Sequence, residues 1–545
     1  MKLVILSFLL GCYVYQAQAQ SDEIWFYILA KDTLTIPFNH ENKLAEYVGN
    51  DPILERIFDS KEIIQFKKTY VVNQLGSRET TYFVRTSSKT LLNDLLQEAP
   101  HIFVTGQLLL GSEKRIFEPN DYGLTSRIGE NKGWQVELDY LDFLGLPKAW
   151  YYTTGRKEVM LGISDAYVDT TNTEFKDKFK VFRKSHDTKS HGSSVAAIAA
   201  AQGDNAYGLP GVCYDCSIGT TSYGDFRWFR QLMELSHDGI RVINCSWVVS
   251  HYYESAQDSI NKMFDNGTII VAGSGNSNWT KTKGKHLYYP ASYDHVISVS
   301  TGMYKYENPK DNLLYEENGS PYVENIKGYV GRTAGFVDKD IDKAIKIYGV
   351  SIATLNEAVD LLAPSVGVVS FGNFLRTGEL KYGTYQGTSI STPFVTGTIG
   401  LMFSLCPCLP VDEVESILKI TSWNIDSIEV NKPYKGMYGA GMLQTGDAVE
   451  LVYQLYNEKE TAYIDHQDFS RWDFKLTAYS KEVVIKDQKF TDRATFNLKA
   501  KNKIVIEPNT VLSPGRNGKI SLSVDPRLEK PCDLILRDPS IMEND

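Results

Sequence analysis

Apolar residues follow two different spacings in the first part of the chain. Residues 24–29 and 81–85 are apolar or β-branched runs that predict strands, and residues 101–104 predict another. Between the last two, leucines recur at the spacing of one helix face, at Leu91, Leu92, Leu95 and Leu96. We therefore predict that residues 20–117 form a separate mixed α/β unit.

Residues 118–458 contain continuous apolar runs that end in polar residues. The run 159–163 leads to Asp165, and the run 269–272 leads to a glycine-rich turn. Runs that are apolar throughout are typical of strands buried on both faces of a parallel sheet. The small residues of 195–200 are typical of a closely packed helix. We predict an α/β domain with a doubly wound parallel sheet.

Polar and apolar residues alternate in residues 459–545. Residues 495–499 and 519–524 show this period of two, and residues 513–515 form a Ser-Pro-Gly turn. Alternation interrupted by such turns predicts half-buried strands, so we expect a small all-β C-terminal domain. A binding or attachment role and a role as a structural cap are both compatible with this pattern.

The N-terminus has the features of a secretory signal peptide. Lys2 precedes a short apolar core, and residues 17–19 form an Ala-x-Ala site, so we expect cleavage after Ala19. Residues 9–12 also fit a lipoprotein box, in which Cys12 would be lipidated instead. No other apolar run reaches the ~18 residues of a membrane-spanning helix. The protein is therefore expected to be secreted, periplasmic or held at the cell surface.

The net charge limits the possible binding partners, and the cysteine positions indicate where disulfides could form. The formal net charge of −10 and the lack of a basic patch argue against nucleic acid or an anionic membrane as a partner. Among the seven cysteines, Cys213 with Cys216 and Cys406 with Cys408 are candidates for disulfides in an oxidising compartment, but the sequence does not determine the connectivity. No histidine accompanies either pair in the sequence, so we expect no zinc site.

Residues 387–397 contain a serine in a position that favours reactivity. An apolar run follows the Gly-Thr-Ser segment and predicts a buried helix. Pro393 is predicted to lie in the first turn of this helix, where a missing N–H is tolerated. Ser389 would then sit at the helix N-terminus, where backbone N–H groups and the helix dipole favour a developing negative charge. The alternative interpretation of this segment is an ordinary helix capped by a serine.

Three further residues could complete a nucleophilic site. A serine hydroxyl needs a base, and the base needs an orienting acid. His191 begins the predicted helix of small residues, Asp165 ends a predicted strand, and Asn276 lies in the glycine-rich turn. Each also has an ordinary interpretation on its own, as a structural histidine, a strand-end aspartate or a turn-forming asparagine.

Taken together, these segments resemble the subtilisin-like serine proteases, or subtilases. Asp165, His191, Asn276 and Ser389 occur in that family's order of acid, base, oxyanion donor and nucleophile. The resemblance runs from about residue 118 to residue 455, and four other segments support it: 242–247, 289–299, 359–364 and 438–443.

The resemblance implies a serine endopeptidase that acts on protein or peptide substrates and needs no cofactor for its chemistry. By resemblance, Ser389 is the nucleophile, His191 transfers the proton, Asp165 orients the imidazole and Asn276 binds the oxyanion. Substrate-binding residues carried over in the same way are Ser246, Trp247, Ser274 and Gly275. Structural calcium is compatible with the family, but the sequence does not locate a site.

The resemblance also orders the domains. Residues 20–117 occupy the position of a propeptide, with release expected between Gly111 and Glu118, and residues of about 303–355 form an insertion. An unrelated N-terminal module is the alternative for the first of these.

Three departures from the family pattern affect the expected cleft. The histidine motif continues as Gly192-Ser193-Ser194, Asp165 is followed by Ala166-Tyr167, and Val248-Val249 replaces two small residues. A catalytically silent subtilase scaffold that binds peptides or partners without cutting them is therefore the alternative function. A lipase or esterase fits poorly, because Ser389 lacks the Gly-x-Ser-x-Gly elbow.

Overall fold

The computed structural model describes residues 23–31, 38–39, 45–68, 81–119, 121, 138–186, 190–205, 207–277, 284–332, 335–346, 353–374 and 379–539. The expected signal peptide, its cleavage point after Ala19 and the alternative lipid site Cys12 lie outside the described residues. The chain divides into two compact units between Lys114 and Arg115.

The first unit contains β1 (Ile24–Ala30), β2 (Phe38–Asn39), β3 (Glu46–Tyr47), α1 (Pro52–Phe58), β4 (Ile63–Lys68), β5 (Thr81–Thr86), α2 (Leu91–Glu98) and β6 (Phe103–Leu108). Its main sheet is antiparallel, in the order β4-β5-β1-β6. Phe26, Val84 and Leu95 are buried in one core shared by sheet and helices. The mixed α/β prediction for this region is confirmed, and the leucine spacing marks α2.

The second unit begins with α3 (Asp139–Phe143), α4 (Leu146–Tyr152), β7 (Met160–Asp165), β8 (Phe179–Val181), α5 (His191–Ala200), β9 (Ser217–Ser222), α6 (Arg230–His237), β10 (Val242–Cys245), α7 (Glu254–Asp265), β11 (Ile269–Gly273) and β12 (Val296–Gly302). It continues with β13 (Leu313–Tyr315), β14 (Pro321–Val323), β15 (Leu361–Pro364), β16 (Val368–Phe374), β17 (Glu379–Tyr385), α8 (Thr388–Leu405), α9 (Val411–Ile420) and α10 (Thr445–Tyr456).

Seven of these strands form one parallel sheet in the order β15-β12-β11-β10-β7-β9-β8. Helices α5 and α8 pack in the core on one face, whereas α6 and α7 pack with the residues of the other face. Every residue of β10 and β11 is buried, as their continuous apolar runs predict. The prediction of a doubly wound α/β fold is confirmed.

The C-terminal strands are β18 (Thr461–Asp465), β19 (Asp468–Phe469), β20 (Asp473–Ala478), β21 (Glu482–Lys486), β22 (Lys489–Asp492), β23 (Thr495–Ala500), β24 (Ile504–Ile506), β25 (Val511–Pro514) and β26 (Lys519–Val524). They form three parallel sheets, β18-β21-β24, β19-β22-β25 and β20-β23-β26. The chain therefore forms a three-sided parallel β-helix, in which each turn adds one strand to every sheet. We call this β-helix, from Thr461 to Val524, the coil.

The all-β prediction is confirmed, but the coiled arrangement was not predicted. Phe474, Phe496 and Ile520 stack in register on successive turns, as do Phe469, Phe490 and Leu512. The signal that would have indicated the coil is an internal repeat of roughly 20 residues in these aromatic and aliphatic positions. Alternation alone indicates strands and leaves their pairing undetermined.

A buried ion pair joins the coil to the parallel sheet. Lys419 of α9 is 1% exposed, and its Nζ lies 2.8 Å from Asp360 Oδ1, just before β15. The same ammonium lies 4.5 Å from the ring centre of Trp472 in the coil. Asp360 Oδ2 accepts the backbone N–H of Ser298 in β12. One charged contact therefore joins a helix, two sheet strands and the coil.

The disulfides differ in part from the expectation. Cys213 is bonded to Cys216, as the spacing suggests. The expected pairing of Cys406 with Cys408 is wrong, because Cys408 is bonded to Cys532 and Cys406 is a buried free thiol. The physical reason is that the segment after the coil returns to the end of α8, where the N–H of Ile535 donates to Leu405 O.

We expect Lys419→Met to destabilise the second unit strongly, because it leaves the Asp360 carboxylate buried without its cation. Removing one partner of a buried pair typically costs about 3–5 kcal/mol of unfolding free energy. Lys432→Met is the matched control, since Lys432 and its partner Glu429 are 59% and 81% exposed. Its loss should stay within about 1 kcal/mol. Equal midpoints for both variants in denaturant unfolding would contradict the structural role of Lys419.

Candidate active site

The polar residues of the site lie where neighbouring parallel strands end. Cys245 of β10 pairs with Ser164 of β7 on one side and with Ala272 of β11 on the other. Asp165 and Ser246 directly follow the residues of this row. Because the strands are parallel and in register, their carboxyl ends open on the same edge of the sheet, which is where sites form in this architecture.

Asp165 and His191 form a close pair. His191 begins α5, and its Nδ1 lies 2.7 Å from Asp165 Oδ1. A carboxylate only accepts hydrogen bonds, so this contact places the proton on Nδ1 and leaves the lone pair on Nε2. Asp165 is 3% exposed, whereas the His191 side chain is 40% exposed. The imidazole is therefore held from the protein side and can be reached from outside.

The second carboxylate oxygen of Asp165 has weaker support. Oδ1 also accepts the backbone N–H of Ala166 at 2.6 Å. Oδ2 is buried and has no hydrogen-bond partner within the described part of the chain. Ala166 stands where the family usually has serine or threonine, and it offers no hydroxyl to this carboxylate. At this position the chain thus supplies Asp165 with a backbone N–H and no side-chain donor.

Ser389 lies in the first turn of α8. Gly387 precedes the helix with φ of 112°, a left-handed conformation that side chains rarely adopt, and a Cβ there would lie 3.2 Å from the Asn276 side chain. The first N–H groups of a helix have no partner within it, so the N–H of Ser389 is available to an anion. Ser389 is half-buried, and its Oγ donates to the carbonyl oxygen of Ser246 at 3.1 Å.

Pro393 lies beyond the first turn of α8, so its predicted placement is wrong. The helix begins at Thr388, and the N–H that Pro393 lacks would have bonded the carbonyl oxygen of Ser389. The hydroxyl of Ser246 donates to that oxygen instead, at 3.0 Å. The proline thus frees the Ser389 carbonyl for a contact that fixes α8 against β10.

Asn276 is oriented by the residue before Ser389. Its Oδ1 accepts the backbone N–H of Thr388 at 2.9 Å and the Thr388 hydroxyl at 3.1 Å. A backbone N–H can only donate, so the amide oxygen must face Thr388 and the Nδ2 group must face away from it. Asn276 itself is exposed, which leaves its N–H groups accessible to a substrate oxygen.

The four residues expected to bind substrate have different surroundings. Ser246 is buried and holds α8 as described above. Trp247 is half-buried, and its ring packs against Phe226. Ser274 is 1% exposed and donates its hydroxyl inward to Thr354 O, so only its backbone could meet a ligand. Gly275 has φ of 101° and lies against the ring of Tyr288.

Thr354 was missed by the sequence analysis although it fixes the turn that carries Asn276. Its N–H donates to Gly275 O at 2.8 Å, and its hydroxyl accepts the N–H of Ser277 at 3.0 Å. Its carbonyl oxygen accepts the hydroxyls of Ser274 and Ser300. No local pattern marks such a residue, because all of its partners are distant in the sequence.

A second polar centre lies near the C-terminal end of α5, where the N–H of Gln202 donates to the carbonyl oxygen of Glu174. Glu174 is fully buried, and within the described residues no side chain donates to its carboxylate, which faces the backbone N–H of Leu209 and the buried ammonium of Lys178. Burial and the nearby charge of Asp121 raise the pKa of Glu174 to about 9, and burial raises the pKa of Asp121 to about 6. Gly208, with φ of 64°, lies directly against Glu174 Oε1, where a Cβ would clash.

These features fit a hard cation, since calcium prefers carboxylate and carbonyl oxygens. A sulfur site fits less well. Within the described residues, Cys406, Cys408 and Cys532 bring three sulfur atoms within 4.8 Å, but two of them form a disulfide.

In the same part of the chain, none of the helices has the length and apolarity needed to cross a membrane.

The model of the Subtilase family matches residues 156–441, slightly more than half of the chain. The chain belongs to the subtilase family. Subtilisin DY from Bacillus licheniformis is 24% identical over 305 residues, which cover 54% of this chain and 91% of that protein. Fervidolysin from Fervidobacterium pennivorans is 23% identical over 315 residues, or 53% of this chain and 41% of fervidolysin.

The crystal structure of fervidolysin aligns with 78% of this subtilase and 61% of the fervidolysin chain, at 16% identity and a TM-score of 0.42. This subtilase spans about two fifths of the full fervidolysin sequence. The resemblance inferred from the sequence is confirmed at the level of the family.

Proposed function

We propose that this subtilase is a serine endopeptidase that cleaves peptide bonds with Ser389, His191 and Asp165. The observation that carries the proposal is the 2.7 Å contact between His191 Nδ1 and Asp165 Oδ1 at the strand ends where Ser389 Oγ meets Ser246 O. A structural histidine needs neither a buried carboxylate on one nitrogen nor a serine at the start of a helix nearby. Membership of the family supports the same chemistry.

In the proposed mechanism, Ser389 Oγ attacks the peptide carbonyl and passes its proton to His191 Nε2. The hydroxyl must first turn away from Ser246 O, to which it donates in this conformation. Asp165 stabilises the imidazolium through Nδ1. The oxyanion is bound by the Ser389 N–H and by Asn276 Nδ2, which Thr388 orients. His191 then protonates the leaving amine, and water hydrolyses the acyl-enzyme.

We also propose that the protein is exported through the signal peptide, with cleavage after Ala19, and that residues 20–117 act as a propeptide. Two observations support the second point. The first unit has its own core, and its boundary between Lys114 and Arg115 falls inside the expected release window. The coil shares a core with the peptidase helices, which favours a role as a structural cap.

A fluorophosphonate probe should label the purified protein and should not label Ser389→Ala, because only an activated serine reacts. Ser523→Ala, which removes an exposed serine of the coil, is the matched control and should label normally. Asn276→Leu should still label while its peptide turnover falls by about a hundred- to thousandfold, the loss known for one such donor in this family. Failure of the wild-type protein to label after removal of residues 20–117 would favour the silent scaffold that binds peptides or partners.

Release of the first unit should depend on the nucleophile. We expect intact-mass analysis of the wild-type protein to show a new N-terminus between Gly111 and Glu118, and Ser389→Ala to retain the preceding residues. Adding a small amount of active wild-type protein to Ser389→Ala should then complete the cleavage between molecules. The same N-terminus in both proteins, when each is purified alone, would argue against self-processing.

We propose that Glu174 and Asp121 hold a calcium ion when it is bound. The ion would supply only positive charge for buried carboxylates and would take no part in peptide hydrolysis. Chelation should lower the unfolding temperature of the wild-type protein, since a ligand at a hundred times its Kd contributes about 2.7 kcal/mol. Glu174→Gln should lose this response, whereas Glu429→Gln, at an exposed carboxylate, should retain it. An equal response of both variants would exclude Glu174 as a ligand.

A further inference from the structure

A polar cleft of about 770 Å³ lies between the last helices of the second unit and the coil. Three parts of the chain line it: the end of α9 with the residues that follow it, one face of α10, and the first two turns of the coil. None of the lining residues belongs to the proposed active site. The cleft has the size of pockets that hold small molecules, and the proposed peptidase mechanism does not use it.

Helix α10 forms one long side of the cleft. Asp447, Glu450 and Gln454 follow one another at intervals of three or four residues, so they share one face of the helix. Gln444, which directly precedes the helix, lines the same side. At 1.5 Å per residue, the stretch from Gln444 to Gln454 spans roughly 15 Å. A ligand that contacts both glutamines is therefore longer than one six-membered ring.

The two glutamines offer polar groups that are not used inside the protein. Gln454 Oε1 accepts the backbone N–H of Tyr463 at 3.2 Å, so the Nε2 group must face away from that bond. Gln444 Nε2 donates to the carbonyl oxygen of Leu443 at 2.8 Å, so Oε1 must face away. Neither Gln454 Nε2 nor Gln444 Oε1 has a hydrogen-bond partner within the described residues. The cleft thus offers N–H donors at one end of α10 and an acceptor at the other.

The acidic groups of the cleft already have cationic partners. Asp447 and Glu450 both contact the ammonium of Lys148, the first at 2.9 Å. Across the cleft, Asp465 Oδ2 lies 3.6 Å from Lys486 Nζ. A charged ligand would have to displace one of these partners and leave a charge unpaired. An uncharged ligand can bond to the glutamines and leave every ion pair intact.

An aromatic ring stands on the coil side of the cleft. Tyr463 is 45% exposed, and it points outward from β18, since its neighbours Ala462 and Ile464 are fully buried. Lys486 Nζ lies 5.2 Å from the centre of its ring. The ring adds a flat apolar surface opposite the polar atoms of α10, and its hydroxyl can both donate and accept.

An extended peptide fits this cleft less well. Strand β18 is the edge of its sheet, and peptides commonly bind by adding a strand to such an edge. Here the edge N–H of Tyr463 already donates to Gln454, so it is not available to an added strand. The cleft therefore favours a ligand that bonds through its own side groups.

We propose that this cleft binds a neutral oligosaccharide. A sugar ring has C–H groups on its faces and hydroxyl groups around its edge, and each hydroxyl is both a donor and an acceptor. One ring stacks on Tyr463, and hydroxyls of the chain accept from Gln454 Nε2 and donate to Gln444 Oε1. This role is independent of the proposed peptidase function. It attaches the protein to a glycan while the strand ends that carry Ser389 stay free.

Titration calorimetry with the full-length Ser389→Ala protein tests the proposal without self-digestion. The neutral probes are cellohexaose, mannohexaose and maltohexaose, and the comparison probes are hexagalacturonate, which is charged, and an uncharged hexapeptide with blocked ends. We expect at least one neutral hexaose to bind with a Kd of about 1 mM or lower. Hexagalacturonate and the hexapeptide should bind more weakly than this sugar.

Four variants test the assigned contacts. Tyr463→Ala should weaken binding of the sugar about tenfold, whereas Tyr463→Phe keeps the ring and should retain most of the affinity. Gln454→Glu can still accept the N–H of Tyr463 but has no N–H for a sugar, so affinity should fall by about three- to tenfold. Tyr315→Ala is the matched control and should leave Kd unchanged, because this tyrosine is 64% exposed and lies outside the cleft.

A free polysaccharide and the glycan of a glycoprotein present the same chemistry to the cleft. Ribonuclease B, which carries a mannose-rich glycan, and its deglycosylated form separate these two sources. Binding of the glycosylated form alone would support a protein-borne glycan as the ligand. Binding of free hexaoses without binding of ribonuclease B would support a polysaccharide.

The proposal would be overturned if none of the three neutral hexaoses bound at about 10 mM. It would also be overturned by equal affinity of Tyr463→Ala and Tyr315→Ala for the sugar, or by tighter binding of hexagalacturonate or the hexapeptide. All of these measurements use a protein without the proposed nucleophile. Their outcome therefore does not depend on whether the protein hydrolyses peptides.

Discussion

The proposed site depends on one constraint. The central parallel strands all end at the same level of the sheet. Asp165 ends β7, Ser246 directly follows β10, and the turn that carries Asn276 follows β11. These three strands pair in register. A shift of one residue in any of these strands would turn its side chains to the other face of the sheet. The register of the sheet therefore sets the spacing of the proposed acid, the residue that anchors α8 and the proposed oxyanion donor.

Helix α8 is held at its start by groups outside the helix. Thr388 binds Asn276, Ser389 exchanges contacts with Ser246, and Gly387 binds Ser365 through both its N–H and its carbonyl. These bonds satisfy backbone groups that the first turn and Pro393 leave without helical partners. The same groups that hold the start of the helix thus fix Ser389, the proposed nucleophile. The proposed function and local stability depend here on one set of hydrogen bonds.

Much of this arrangement could be predicted from the sequence, because the relevant residues mark element boundaries. Asp165 ends an apolar run, and His191 starts a run of small residues. Ser389 comes shortly after a glycine, which indicates a tight turn before the helix. Features that depend on distant partners could not be predicted in this way. Thr354 lies 77 positions from Ser277 and Cys532 lies 124 positions from Cys408. Pro393 was misplaced because its compensating donor, Ser246, lies after β10, 143 positions from Ser389 in the sequence.

The Cys408–Cys532 bond changes what a break in the backbone would do. It joins two residues separated by 124 positions, and the whole coil lies between them. A single cut in any exposed turn of the coil would therefore leave both fragments covalently connected through sulfur. The fragment that contains α8 would therefore stay packed against the strands of the coil. The protein would in this way remain one molecule after a single cut by a peptidase.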